Sequence, residues 1–257
     1  MTKTNTIEFN KIKHWDIFQL GNHFLLFWDS TDKQQVEKVL KNKKIKSIIT
    51  DVPYWIDYVQ SKKGFTKQLE KHKHIQNDEF QSDNDYKNFT CDWLCIVREY
   101  LSDKNSFYIF NSDKMIFSLK EALESEKFKF SQLLVWVKNG WVIGRLDYLP
   151  QHELIAYGWY KKHEFLRSKG KSLFFVPKIR KNTIHPTMKP IPLLRELILN
   201  STNVGEFVYD PFLGSGSTMM ACEQTKRKCI GIEIEKQYII SICERYHKLF
   251  WIQAIKI

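Results

Sequence analysis

The stretch Asp210-Pro-Phe-Leu-Gly-Ser-Gly-Ser-Thr-Met219 decides the fold of this chain. A β-prone run, 206–209, precedes it, and a helix-capable stretch, 217–226, follows it. Gly214 and Gly216 let the backbone turn tightly and approach a ligand that a Cβ would block. Met219 occupies the place of the third glycine in the dinucleotide fingerprint, so the pattern disfavours NAD. By itself the stretch is equally compatible with a β–α turn that binds nothing.

Two further strands end in acidic residues. The apolar run 229–232 ends in Glu233, and the predicted buried strand 45–50 leads into Asp51-Val-Pro-Tyr54. Ligands of open α/β sheets bind beyond the carboxyl ends of the strands. A cofactor with a nucleoside would therefore place its ribose hydroxyls on Glu233. Asp-x-Pro on its own is also typical of a plain turn.

These segments resemble the motifs of the amino-methylating DNA methyltransferases. The order of the motifs matches the β class, and the chain is most similar to phage and prophage-type adenine-N6 enzymes. The resemblance covers about residues 12–248 and rests on eight segments, which are 20–26, 29–31, 51–54, 142–148, 151–153, 157–159, 185–190 and 210–218.

The resemblance implies the catalytic groups. Asp51 and the carbonyl of Val52 would accept the two hydrogens of the target amine. Pro53 completes the motif after Val52, and Tyr54 would stack on the base. No metal is required. Cytosine-N4 methylation is the alternative reaction. A catalytically silent DNA-binding protein is another alternative, because Val52 replaces the usual proline and Trp28 replaces the usual glycine before Asp29.

S-adenosylmethionine is the cofactor that the resemblance implies. Asp29 would lie beside its adenine, Glu233 on its ribose, and Lys189 at its carboxylate. Asp29 could also cap a helix over 33–41, which is compatible with a place beside the adenine, and Lys189 could instead be a solvated lysine. The full predicted cofactor set is Asp29, Asp51, His185, Lys189, Asp210, Phe212, Gly214, Ser215, Gly216, Ser217, Thr218 and Glu233.

The alternation of strand and helix patterns predicts an α/β fold. With the resemblance, we expect a doubly wound, mainly parallel, seven-stranded sheet, a circularly permuted Rossmann-like arrangement in a single domain over 1–257. A strand at 24–28 would then complete the cofactor half. The long polar loop 55–83 is expected to be mobile and to close over an extruded base. Segment 160–184 stands where this class carries its small target-recognition insertion.

The formal net charge of +11 and the pI near 9.3 suit a polyanion, and we expect double-stranded DNA. A lysine-rich composition also arises in AT-rich genomes. Between 161 and 182, however, eight basic residues accompany a single acidic one. The predicted DNA contacts are Arg145, Lys161, Lys162, Arg167, Lys169, Lys171, Lys178, Arg180 and Lys181.

Location and partners follow less directly. The sequence has no long apolar run and no signal-peptide core, so we expect no membrane span. Its five cysteines include no CxxC pair, which favours reduced thiols and a cytoplasmic location in a bacterial or phage-infected cell. The resemblance adds a homodimer and a cognate restriction enzyme as expected partners.

Overall fold

A mixed β-sheet flanked by helices organises the part of the chain that the computed structural model describes, residues 11–53, 82–140, 147–177 and 188–257. The strands there are β1 Ile17–Leu20, β2 His23–Phe27, β3 Ile45–Asp51, β4 Leu101–Asn111, β5 Phe128–Val137, β6 His152–Tyr160, β7 Lys162–His163, β8 Leu173–Phe175, β9 Phe207–Asp210, β10 Lys228–Glu233 and β11 Ile255–Lys256. The helices are α1 Lys33–Leu40, α2 Asp83–Arg98, α3 Ile116–Ser125, α4 Ile191–Ser201, α5 Ser217–Gln224 and α6 Lys236–Phe250.

Seven central strands lie in the order β2-β10-β9-β3-β4-β6-β5. The first five are parallel to one another, and β6 pairs antiparallel with both β4 and β5. Strands β9 and β10 come late in the chain and yet lie between β2 and β3, which is the predicted permutation. The predicted fold class is therefore confirmed, and β2 lies beside β10, as the prediction of a strand at 24–28 required.

Both faces of the sheet are covered, which explains the nearly continuous apolar character of its central strands. Successive residues of a strand point to opposite faces. Tyr108 and Phe110 accordingly pack on one face with α4, α5 and α6, whereas Phe107 and Ile109 pack on the other face with α1, α2 and α3. The helices hold the carboxyl ends of the parallel strands at one common edge.

The edges of the sheet differ from expectation. Strands β1 and β2 form a hairpin in which Leu20 pairs with His23. Gly21 has a positive φ of 58° at the first position of its two-residue turn. The C-terminal strand β11 extends this edge, and β8 extends the opposite edge beside β5. Segment 160–184 thus contains two short strands that its sequence pattern did not predict, β8 and also β7, which pairs with β4.

The long polar loop predicted over 55–83 ends earlier than predicted, because helix α2 begins at Asp83. Asp83, the last residue of the predicted loop, is the first residue of α2, and Ser82 caps that helix in a reciprocal capping box with Asp85. The remainder of the loop lies outside the described residues. Within the described ranges, no helix is both long and apolar enough to cross a membrane.

Candidate active site at the carboxyl ends of the parallel strands

Four neighbouring strands lead into an acidic residue at the same edge of the sheet. Strands β3, β9 and β10 end in Asp51, Asp210 and Glu233, and Asp29 follows two residues after β2. Because adjacent strands lie about 4.8 Å apart, these four chain ends span roughly 14 Å. The fold thus brings together four predicted site residues that are distant in sequence.

Glu233 is buried at the end of β10. Its Oε2 accepts the N–H of Gly214 at 2.7 Å, and its Oε1 accepts the N–H of Glu235 at 2.8 Å. Burial raises the pKa of this carboxyl from 4.5 to about 8, although these two hydrogen bonds oppose the shift. At neutral pH the native protein therefore holds a proton on Glu233 that the unfolded chain has lost.

This pKa predicts a pH dependence of stability. The stabilising effect of the native proton is complete below pH 4.5 and is lost as the pH rises through about 8. At 1.36 kcal/mol for each pH unit, the free energy of unfolding should fall by about 2 kcal/mol between pH 6.5 and pH 8. We expect Glu233→Gln to remove this decline, as measured by urea unfolding across the same interval.

Asp210 must be separated from this measurement, because burial also raises its pKa, to about 6. The stabilisation that the proton on Asp210 contributes is lost as the pH rises through about 6, which is below the interval from pH 6.5 to pH 8. Parallel stability curves for wild type and Glu233→Gln above pH 6.5 would contradict the assignment to Glu233.

Asp210 organises the turn that follows β9. Its Oδ1 accepts the hydroxyl of Thr50 at 2.7 Å and the N–H of Phe212 at 3.2 Å, and Thr218 also bonds its carboxylate. The ring of Phe212 packs on Phe89 with centroids 5.5 Å apart. The observed contacts of these residues hold the turn in shape; their contact with a cofactor stays a prediction.

The glycines of the turn have the conformation that the sequence required. Gly214 and Gly216 have φ of 53° and 78°, and Gly216 is the N-cap residue of α5, which begins at Ser217. A Cβ on Gly216 would lie 3.1 Å from Ile242. The side chains of Ser215 and Ser217 are turned into the protein, 3.2 Å from each other, where Arg245 donates to the Ser215 carbonyl and the Ser217 hydroxyl.

Asp29 does not cap the first helix. Its Oδ1 accepts the N–H and the hydroxyl of Thr31, both at 2.9 Å, whereas Asp32 caps α1. The capping interpretation is therefore wrong, and contact with the cofactor stays a prediction. The indole of Trp28 donates to Asp32 at 2.6 Å and packs against Trp15.

A chain of alternating charges holds Asp51. Lys189 bonds Asp51 Oδ2 and lies 3.1 Å from Glu153 Oε2, and Lys138 lies 2.7 Å from Glu153 Oε1. We call these four residues the charge cluster. Lys189 is only 5% exposed, so the interpretation as a solvated lysine is wrong. Its predicted contact with the cofactor carboxylate stays a prediction.

The charges of the cluster sustain one another. Burial alone would lower the pKa of Lys189, but Asp51 and Glu153 raise it above its ordinary value. Burial alone would raise the pKa of Glu153, but Lys189 and Lys138 lower it. With two ammonium and two carboxylate groups the cluster is neutral overall, which is the condition under which buried charges are tolerated.

Sequence reasoning missed two members of the cluster. Glu153 stands in one of the segments that carry the resemblance, but no pattern assigned it a partner. Lys138 directly follows β5 and is one lysine among many, so only the fold distinguishes it.

Of the other predicted catalytic residues, Val52 is buried, with 3% of its surface exposed. Six predicted site residues lie outside the described residues, namely Tyr54, Arg145, Lys178, Arg180, Lys181 and His185.

The predicted DNA contacts are not gathered on one surface. Strand β7 pairs with Lys104–Asn105 near the start of β4, whereas Asp51 pairs with Phe110 near its end. At about 3.3 Å per residue, Lys161 and Lys162 are roughly 20 Å along the sheet from Asp51. Lys162 forms an ion pair there with Asp103 at 2.9 Å.

The rest of the patch divides in the same way. Arg167 follows Leu166, whose N–H bonds the carbonyl of Asn200 near the C-terminal end of α4, again far from Asp51. Lys169 and Lys171 are exposed and precede β8. Strand β8 runs parallel to β5, with Phe175 level with Val137, towards the edge where β3 ends in Asp51, which we call the active edge. Among the predicted DNA contacts within the described ranges, Lys171 lies two residues before β8 on the way to that edge, and Lys169 lies two residues earlier in the chain.

Comparison with known proteins decides the family. The model of the N6/N4 methylase family, described as DNA methylase, matches residues 45–244. The chain belongs to this family of DNA methylases. The family uses S-adenosylmethionine as methyl donor, which confirms the predicted cofactor. The prediction of a phage-type enzyme is not tested by these matches.

Individual relatives agree with this assignment. The DNA methylase is 26% identical over 226 residues to the type II methyltransferase M2.MboI of Moraxella bovis, covering 80% of this chain and 81% of that protein. The crystal structure of the M1.HpyAVI–SAM complex superposes with a TM-score of 0.63 at 24% identity, covering 86% and 98% of the two chains. PvuII, a cytosine-N4-specific methyltransferase, gives 0.68 at 15% identity, covering 88% and 87%. At these identities the two solved structures show the fold alone.

Proposed function

We propose that this DNA methylase transfers the methyl group of S-adenosylmethionine to N6 of adenine in double-stranded DNA. The observation that carries the proposal is the placement of Asp51. Its carboxylate stands at the end of β3, paired with buried Lys189, on the edge where Asp29, Glu233 and Asp210 also lie.

The residues of this edge fit the cofactor. Once Glu233 loses its proton on cofactor binding, its carboxylate has the acceptor atoms that two ribose hydroxyls require. The positive φ angles at Gly214 and Gly216 bring the backbone close to the same edge without a Cβ. When bound, S-adenosylmethionine supplies a methyl group on a positively charged sulfur.

Asp51 orients the target amine. The lone pair of the adenine amino group is delocalised into the ring, so the amine is a weak nucleophile. Asp51 and the Val52 carbonyl would accept its two hydrogens and favour the pyramidal geometry in which the lone pair is available. Positioning of this kind supplies a large part of a rate enhancement. No covalent nucleophile is required.

Valine at position 52 is compatible with this role. The group required there is a backbone carbonyl, which valine has as well as proline. Pro53 biases the preceding residue towards extended backbone, and the Val52 side chain is buried. These features favour a working enzyme over a silent DNA-binding protein. Asp51 at the first motif position favours adenine over cytosine within the family.

The test is transfer of tritiated methyl groups from S-adenosylmethionine to unmethylated genomic DNA, followed by separation of the nucleosides. We expect the label in N6-methyladenine. Label in N4-methylcytosine would change the base and contradict the adenine assignment. Absence of label despite cofactor binding would identify a silent protein.

The placement of the lysines predicts a selective effect on DNA binding. If segment 160–184 contacts phosphates beside the active edge, Lys169→Gln with Lys171→Gln should flatten the plot of log affinity against log salt, by up to about 1.8. The matched pair Lys161→Gln with Lys162→Gln, at the far end of the sheet, should leave the slope unchanged. Fluorescence anisotropy with duplex DNA measures both slopes. The reverse pattern would move the DNA footprint away from the active edge.

A homodimer and a cognate restriction enzyme stay predictions from the resemblance.

A further inference from the structure

Glu153 is the acid in the centre of the charge cluster. It is the second residue of β6, and only 18% of its side chain is exposed. Its two oxygens are divided between two lysines, Lys189 on Oε2 and Lys138 on Oε1. Neither lysine is more than 9% exposed, so both ammonium groups depend on the protein to replace their hydration.

The cluster follows the active edge of the sheet across four strands. Asp51 ends β3 beside Phe110 of β4, and Glu153 of β6 pairs with Trp136 of β5. Each ammonium group also lies over an aromatic ring. Lys189 Nζ is 5.2 Å from the Phe110 ring centroid, and Lys138 Nζ is 5.3 Å from that of Trp136. The two lysines are therefore held by carboxylates and by ring faces.

Glu153 helps to keep Lys189 charged and in place beside Asp51. Burial disfavours an ammonium group, and a second carboxylate offsets that cost. Without Glu153, Lys189 would lose one of the two carboxylates that keep it charged and in place. Asp51 Oδ2 would then lose a fixed donor, and the carboxylate could rotate about its terminal bond.

We propose that Glu153 and Lys138 are positioning residues for methyl transfer. Acting through Lys189, Glu153 fixes the orientation of the Asp51 carboxylate towards the target amine, and Lys138 balances the charge of Glu153. The inference rests on the proposed function and adds two residues that do not touch the substrate.

The test compares Glu153→Gln with a matched control. Glu126 also has a side chain that is 18% exposed, and it pairs with Arg98 at 2.5 Å before β5 begins, at the opposite end of that strand from Lys138. We expect Glu153→Gln to lower kcat about 10- to 100-fold, with the KM for DNA within threefold of wild type. Glu126→Gln should lower the melting temperature without lowering kcat.

A double variant separates positioning from general damage. Glu153→Gln leaves Lys138 without its carboxylate, and Lys138→Met in the same protein removes that unpaired charge without returning a carboxylate to Lys189. We therefore expect kcat of the double variant to stay within twofold of Glu153→Gln alone. As a readout independent of turnover, the Nζ proton signal of Lys189 in NMR, identified by its absence in Lys189→Met, should be slowly exchanging in wild type and lost in Glu153→Gln.

The outcomes are distinguishable from those of the proposed function. Failure of wild type to methylate DNA would overturn both statements. With wild type active, a kcat for Glu153→Gln within twofold of wild type would overturn the inference alone. A double variant that regains most of the lost kcat would do the same, because the loss would then come from an unpaired buried charge. An unchanged Lys189 signal in Glu153→Gln would also overturn the inference alone.

Discussion

Replacing Asp51 by alanine should lower kcat for DNA methylation about 1000-fold and leave the Kd for S-adenosylmethionine within about fivefold of wild type. The variant removes the side-chain acceptor for the target amine and leaves only the Val52 carbonyl. Loss of one preorganised polar group typically costs 100- to 1000-fold in turnover. It also leaves Lys189 with Glu153 as its remaining partner in the charge cluster.

Two controls define what the effect means. Asp51→Asn retains an acceptor oxygen but loses the ion pair with Lys189, so its kcat should fall between those of wild type and Asp51→Ala. Asp103→Ala removes an exposed aspartate at the far end of the sheet and should leave kcat within twofold. Single-turnover methylation with isothermal titration of the cofactor measures these quantities. A kcat for Asp51→Ala within tenfold of wild type would refute the assigned role.

Replacing Glu233 by alanine should weaken S-adenosylmethionine binding about 30- to 100-fold. Hydrogen bonds to a charged group contribute about 1.5–3 kcal/mol each. Ionising a carboxyl whose pKa is about 8 offsets part of the gain from two ribose hydroxyls at neutral pH. A net loss of about 2–3 kcal/mol corresponds to the stated range. Turnover at saturating cofactor should change little.

The pH dependence of binding provides the control within this measurement. Because binding favours the ionised form of Glu233, wild type should bind S-adenosylmethionine severalfold more tightly at pH 8.5 than at pH 7, and Glu233→Ala should lose this dependence. Glu244→Ala, an exposed acid on α6, should behave as wild type. An affinity of Glu233→Ala within threefold of wild type would exclude Glu233 from the ribose site.

The layered fold could be predicted because its signals are local. The apolar runs of β3, β9 and β10 and the glycines after β9 set strand, turn and helix within short segments. The resemblance then supplied the permutation that places β2 beside β10. Strand β1 was missed although Gly21 and Asn22 are typical of a two-residue hairpin turn. The short strands β8 and β11 depend on pairing with an existing edge, which no local pattern shows.

The site was predictable in position but not in its partners. Acidic residues at strand ends could be placed from the sequence because parallel strands share a carboxyl edge. The pairing of Lys189 with Asp51 joins residues 138 positions apart and depends on how α4 docks beside β3. Likewise, Lys161 and Lys162 joined a basic patch in sequence, but β7 carries them to the amino end of β4. The density of basic residues along a sequence does not show at which end of the sheet those residues will lie.

Methyl transfer to adenine N6 is tested most directly with DNA that carries ¹⁵N in the exocyclic amines of adenine and S-adenosylmethionine that carries a ¹³C methyl group. After incubation with the purified protein, NMR of the DNA reports whether a ¹³C–¹⁵N bond has formed. We expect this one-bond coupling with wild type and none with Asp51→Ala. A ¹³C methyl signal without the coupling, or equal coupling with both proteins, would contradict it.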